Sequence, residues 1–291
     1  MEKNVLLTIA YDGTEFHGWQ KQPGKRTVQG HLEQVMNHVF GQPIQLNGTS
    51  RTDAGVHAYG QRASFKADIG VPTDKIALVI NNALCAREGS ENGRGAFAKA
   101  PVRILKAEEM PVDFHARFDS KGKEYIYRIR CIPKACAGTD LAGCAEAVAR
   151  GCEAIAAQGK EIAMTFGRNY YYYLDSNLDA KAMNEAAKAL IGTHDFKSFE
   201  ASGGNPRQTT VRTIFDAFVK EAAPGELEFH VSGDGFLYNM VRIITGTLVE
   251  IGQGKRSPEE MIDIIEATDR TKAGHTAPPQ GLYLAEVFYE R

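Results

Sequence analysis

Apolar residues along this chain change their spacing repeatedly, and each change marks an element. Leu6-Leu7-Thr8-Ile9-Ala10-Tyr11 reads as a strand that stops at the turn pair Asp12-Gly13. Thr27 suits an N-cap. After it Val28, Leu32, Val35, Met36, Val39 and Phe40 recur at helical spacing until Gly41. Strand-like runs follow around Ile44 to Thr49 and around Gln61 to Phe65. A helix is expected from about Thr73 to Leu84, and a strand from Val102 to Glu108.

The second half uses the same kinds of element. Residues Lys123 to Arg130 alternate like a strand. Asp179 to Ile191 places Ala182, Met183, Ala186, Ala187, Leu190 and Ile191 on one helical face. Val211 to Lys220 and Leu227 to Ser232 read as a strand pair. Phe236 to Ile251 reads as a strongly apolar helix, Pro258 to Ala267 as another, and Leu282 to Tyr289 as a closing strand. Strands and helices without regular β-α-β alternation predict an α+β class with mainly antiparallel sheets. We expect two halves, 1–112 and 113–291. Insert-like stretches, Gly/Glu/Arg-rich at about 85–101 and Ala/Gly-rich at about 133–169, lack such a period. The run Tyr170 to Tyr173 carries no chemistry legible in the sequence.

Composition narrows the class. Of 291 residues, 43% are hydrophobic and 24% charged, as in ordinary globular proteins. No run approaches the roughly 20 apolar residues of a membrane span, and Met1-Glu2-Lys3-Asn4 lacks the features of a secretion signal. A cytoplasmic protein is expected, with no membrane partner. Five cysteines without a Cys-x-x-Cys pair offer no zinc spacing, so no metal is expected.

The net charge of −2 does not announce a nucleic-acid partner, but the average hides a local excess. Between His115 and Lys134, six Lys/Arg stand against two acids, interleaved with aromatics at Phe118, Tyr125 and Tyr127, and Phe114 lies just before. Cations for phosphates beside ring faces for bases suit looped or single-stranded RNA. A solvated charged hairpin has the same composition.

Two side chains could carry chemistry. Asp53 lies between strand-like runs with Gly55 two residues on, which suits a carboxylate on a tight turn; Asp-Ala-Gly is also ordinary turn chemistry. An Asp acts as a nucleophile if something keeps it ionised and positioned. Arg242 sits in a helix apolar on nearly every side, where a buried guanidinium calls for a carboxylate. Snorkelling to solvent or pairing with Asp234 would also satisfy it.

The string Arg51-Thr52-Asp53-Ala54-Gly55-Val56-His57-Ala58 resembles the signature of the tRNA pseudouridine synthase A family. The likeness continues along nearly the whole chain. It runs through Ala10-Tyr11-Asp12-Gly13-Thr14, Gly18-Trp19-Gln20, Thr27-Val28-Gln29-Gly30, Phe114 to Phe118, Tyr125-Ile126-Tyr127-Arg128, His194-Asp195-Phe196, Asn239-Met240-Val241-Arg242 and Gly281-Leu282-Tyr283-Leu284. Each string is weak alone; together and in this order they are specific.

The resemblance implies the pseudouridine synthase fold, two α+β halves flanking an RNA cleft, acting as a homodimer without a cofactor. It implies Asp53 as nucleophile, Tyr125 as the aromatic stacked on the target uracil, Arg242 as the carboxylate's partner and Arg51 as an aid to base extrusion. Phe114, His115, Ala116, Arg117 and Phe118, with the stretch from Arg207 to Arg212, would touch the tRNA. The substrate implied is uridine at positions 38, 39 or 40 of the anticodon stem-loop. A non-catalytic RNA-binding module on the same scaffold is the alternative. A glycosidic hydrolase would need a second carboxylate near Asp53, which the local sequence lacks.

Overall fold

Strand β1 (Glu2–Tyr11) extends the apolar run at its N-terminal side and pairs antiparallel on both edges. One neighbour is β3 (His57–Asp68), in register Val5↔Phe65 and Leu7↔Ala63; the other is β4 (Val102–Met110). Strand β10 (Leu282–Phe288) adds to β3 in parallel through Tyr283↔His57, giving the order β4-β1-β3-β10. Two helices contribute to this core, α1 (Val28–Phe40) and α2 (Thr73–Arg87), burying Leu32, Met36, Ile76 and Ile80 completely. Helix α1 begins where expected because Thr27 accepts a hydrogen bond from the Gly30 amide at 3.3 Å. It ends where Gly41 turns left-handed, φ 65°.

The computed structural model describes residues 2–87, 100–131, 165, 167–204 and 208–290. Its chain divides into two units, Met1–Glu124 with Tyr283–Arg291, and Tyr125–Leu282. Strand β5 (Gly122–Cys131) begins in the first and continues into the second.

In the second unit the strand order is β5-β9-β8-β7, formed with β9 (Glu226–Gly233), β8 (Val211–Ala223) and β7 (Gly192–Asp195). The β8–β9 hairpin is antiparallel, with Ala217↔Val231 and Val219↔Phe229 in register. A short β6 (Tyr172–Leu174) lies parallel to β5 and takes in part of the tyrosine run. Helices α3 (Ala180–Lys188), α4 (Met240–Gly252) and α5 (Glu260–Ala267) also belong to the described part of the unit. Of the α4 residues, all but Arg242 and Glu250 are buried. Among the described strands most pairings are antiparallel, with β10–β3 and β5–β6 parallel, so the mixed α and β architecture matches the expected class.

Three expected elements differ, each for a local reason. The run from Ile44 to Thr49 yields only β2 (Asn47–Gly48). Helix α1 takes the amides before it instead: Asn37 Oδ1 accepts from Ile44 at 2.6 Å, and Glu33 Oε1 accepts from Leu46 at 3.1 Å. Ile44 and Leu46 remain buried, so their apolar character signalled core rather than strand. The helix expected from Phe236 starts at Met240, because Asn239 adopts a left-handed backbone, φ 59°. Helix α3 stops at Lys188 and the chain tightens into i→i+3 bonds at Ala189 and Leu190 before Gly192. The first insert is entered by α2, which runs to Arg87; residues 88–99 of that stretch, and most of the second, lie outside the described residues.

Candidate active site

In the first unit, the eight residues from Thr49 to Val56 form the connection between β2 and β3, and several of their backbone groups are held by defined partners. Gln61, fully buried in β3, accepts from the Ser50 amide at 3.2 Å and donates to the Ser50 carbonyl at 2.6 Å. The Thr52 carbonyl accepts from the Trp19 amide at 3.0 Å, and the Gly55 amide donates to Phe16 O at 3.3 Å. The Asp53 carbonyl accepts from Val56 at 3.2 Å, closing a four-residue turn. Gly55 occupies its third position with φ 79°, as a type II turn requires. Asp53 therefore sits at the head of a turn, half-buried, between the buried residues Thr52 and Val56, while Arg51 is exposed.

The segment from Tyr11 to Trp19 wraps this turn at close quarters. Gly18 has φ 81°, and a Cβ there would lie 2.4 Å from the Thr52 carbonyl oxygen. The Gly13 amide donates to His57 Nδ1 at 3.1 Å, and His57 stacks on Tyr283 at 4.7 Å, which stacks in turn on Tyr59 at 4.9 Å. Backbone bonds at Ser50, Thr52, Asp53 and Gly55 hold the main chain on either side of the carboxylate, the property a nucleophile needs.

A second feature of the same unit is the segment Phe114 to Phe118. Ala116 is buried and serves as its anchor: its amide donates to Ser64 Oγ at 3.1 Å. Its carbonyl accepts from Thr49 Oγ1 at 3.0 Å and from the Tyr289 hydroxyl at 2.8 Å. Asn4 Nδ2 donates to Phe114 O at 2.8 Å, and the Phe114 ring packs 5.2 Å from Tyr289. The remaining side chains turn outward. Phe118 is 75% exposed, with the His115 ring 4.3 Å away and the Arg117 guanidinium 5.9 Å from its face. An exposed ring beside a cation is the pairing used for unstacked bases.

In the second unit, Tyr125 on β5 is buried and meets Phe236 edge to face at 5.1 Å. Arg242, on the first turn of α4, donates from Nε to the Ala277 carbonyl at 2.7 Å and from Nη1 to Asn239 Oδ1 at 2.9 Å. Ala277 returns its amide to the Arg242 carbonyl at 3.0 Å. Asp234 accepts from the Thr213 amide at 3.1 Å, binding it to the β8 backbone. Tyr127 is fully buried and its hydroxyl donates to Pro278 O at 2.6 Å. Burial pushes that phenol well above its ordinary pKa, with Arg242 pulling it down and Tyr172 pushing it further up. Arg212, on β8, donates from Nη1 to Thr209 O at 3.0 Å. Arg207 lies outside the described residues.

Several supports were not legible in sequence. Gln61 and Thr52 look like ordinary strand or loop residues, and Tyr127, expected as a ring face beside cations, is instead fully buried; their roles arise from long-range hydrogen bonds. Asn239 had one usable signal, being a residue type tolerant of the left-handed region just before an apolar helix. Among the described residues, no group of three His, Cys, Asp or Glu could hold a metal, and no helix is long and apolar enough to cross a membrane.

A sequence model of the family described as tRNA pseudouridine synthase matches residues 7–119 and 186–290, which include the Asp53 turn and the Arg242 helix. This chain belongs to that family. Among its relatives are tRNA pseudouridine synthase A 2 of Clostridium tetani, 40% identical over 291 residues, and tRNA pseudouridine synthase A of Caldicellulosiruptor bescii, 38% identical over 287. The enzyme of the same name from Acetivibrio thermocellus is 38% identical over 287 residues. Each alignment covers 99% of this chain and 100% of the relative. Membership makes the chain an enzyme, an isomerase, and removes the non-catalytic alternative.

Proposed function

We propose that this synthase isomerises uridine to pseudouridine at positions 38, 39 or 40 in the anticodon stem-loop of tRNA, with Asp53 as nucleophile. The observation that carries the reading is the Asp53 turn, whose backbone is bonded to β3 and to the Tyr11–Trp19 segment on both sides of the carboxylate.

The chemistry fits a single fixed carboxylate. The N1–C1′ bond breaks, a C5–C1′ bond forms, the C5 proton leaves and N1 gains one. Product and substrate are isomers, so the reaction calls for no redox or energy cofactor. The uracil must rotate between the two bonds, which stacking in a helix forbids, so the base leaves the stack at a cost of a few kcal/mol. Arg51, exposed beside the turn, would assist that extrusion. Tyr125 would present its ring to the extruded uracil. Arg242 would keep the Asp53 carboxylate ionised, since a nearby cation favours the charged form. Phe114, His115, Arg117, Phe118, Arg207 and Arg212 would hold the surrounding tRNA, with Ala116 as the buried anchor of its segment. We place the enzyme in the cytoplasm as a homodimer, in keeping with the family resemblance.

Release of tritium from tRNA labelled at C5 of uridine, with the modified position mapped afterwards, tests the reading. Label lost from the anticodon stem-loop supports it. Label lost only from another arm of the tRNA contradicts the site of modification while leaving the chemistry intact.

A further inference from the structure

Two of the bonds that hold Arg242 are of different kinds. Its Nε bonds to a main-chain carbonyl, Ala277 O at 2.7 Å. Its Nη1 bonds to a side-chain oxygen, Asn239 Oδ1 at 2.9 Å, three residues back and just outside the helix. Asn239 is the N-terminal flanking residue of α4, yet it is not a conventional N-cap: its side chain accepts no hydrogen bond from the first-turn amides. Its backbone lies at φ 59°, ψ 10°, one of two non-glycine residues with positive φ among those described. An Asn at a helix N-terminus ordinarily sits in the extended region and caps N2 or N3. Here the left-handed backbone takes the amide away from that role and presents its oxygen to the guanidinium.

A guanidinium is planar, so two bonds, one at Nε and one at Nη1, fix both the position of the plane and its rotation about the side-chain axis. The Ala277 bond holds the Nε edge of the plane, and the Asn239 bond holds its Nη1 end. We infer that Asn239 is a positioning residue for the isomerisation: its left-handed backbone and amide oxygen set the plane of Arg242, and so its aim at the reacting carboxylate. This rests on the reading of Arg242 as the partner of Asp53. The residue touches neither substrate nor nucleophile in this role and acts through Arg242.

Asn239→Gly separates the amide from the backbone, because glycine adopts the left-handed region without steric cost. Asn239→His restores an acceptor, since ring Nδ1 projects about as far as the amide oxygen and histidine also tolerates positive φ. Arg242→Gln is the reference for the residue acted upon. Tritium release from C5-labelled tRNA, under multiple-turnover and single-turnover conditions, gives kcat, KM and the chemical rate for each, and thermal melting reports folding.

The expected pattern is a kcat lowered about tenfold in the glycine variant, the size of one hydrogen bond to a charged group. KM should stay within twofold, the melting temperature should be near that of the parent, and the histidine variant should recover most of the rate. A glycine variant with parental kcat, while Arg242→Gln is inactive, overturns the role of Asn239. So does a histidine variant no faster than the glycine variant when both are folded. If the glycine variant melts early, the single-turnover rate of the histidine variant at low temperature decides in the same way. Arg242→Gln with parental turnover instead overturns the underlying reading of Arg242, a distinguishable failure.

Discussion

The Tyr11 hydroxyl lies 2.7 Å from the Thr52 hydroxyl in a buried pair, so the residue preceding Asp53 is tied to the end of strand β1. Tyr11 is also the last residue of β1 paired to β3, opposite Ala58. The strand, the turn and the carboxylate therefore share one support. Removing one hydroxyl leaves the other desolvated without its partner, which destabilises by about 1–3 kcal/mol. Tyr11→Phe is expected to lower unfolding free energy by that amount and turnover by more than tRNA affinity. Denaturant melts and kcat against KM check it; unchanged kcat in a destabilised protein would separate the support from the chemistry.

Gly18 gives a sharper test of the same support. Its φ of 81° disfavours any side chain, and a methyl group would meet the Thr52 carbonyl at 2.4 Å. Gly18→Ala is expected to destabilise by about 2 kcal/mol or more and to displace the Asp53 turn, with a loss of kcat beyond what reduced folding explains. Parental stability and turnover in this variant would show that the wrapping segment does not hold the turn.

The exposed ring of Phe118 belongs to binding rather than folding. At 75% exposure it contributes little to the core, so Phe118→Ala should leave the melting temperature unchanged. Loss of one base-stacking face should weaken tRNA binding by about 1–3 kcal/mol. Binding should also weaken steeply with salt, because phosphate contacts release counterions. A filter-binding titration at two ionic strengths reads both. Salt-independent affinity, or an unchanged Kd in the variant, would place the RNA elsewhere.

Acid should destabilise the fold through particular carboxylates. Burial raises Glu250, but hydrogen bonds from His275 and Arg256 outweigh it and leave its pKa below the ordinary value. Burial likewise raises Glu228, and His230, Lys220 and Arg128 bring it below the ordinary range. Groups whose folded pKa is depressed contribute stability above their unfolded pKa and lose it as pH falls through the folded value. Stability should thus decline below the ordinary carboxylate range, and Glu250→Gln should flatten that decline. An equally steep acid limb in the variant would assign the loss to other groups.

Local signals explain what could be read in advance. Helix α1 carries its own cap and stop, Thr27 and Gly41, and its limits emerged directly from sequence. The Asp53 turn was legible because Gly55 marks it within four residues. What escaped reading depends on residues far apart in the chain. Gln61 bridges Ser50 from β3, β10 pairs with β3 across more than two hundred residues, and Asn37 and Glu33 capture amides that periodicity assigned to a strand. The left-handed Asn239 defeated the helix start at Phe236, since apolar spacing continued through a residue whose backbone had already left the helix.

Single-turnover conversion by Asp53→Asn is the decisive measurement, because the substitution keeps size and shape while removing the charge. Expected is a rate of pseudouridine formation lower by at least about a thousandfold, with tRNA affinity within severalfold of the parent. A variant that still converts uridine at near-parental rate would show that another group performs the attack.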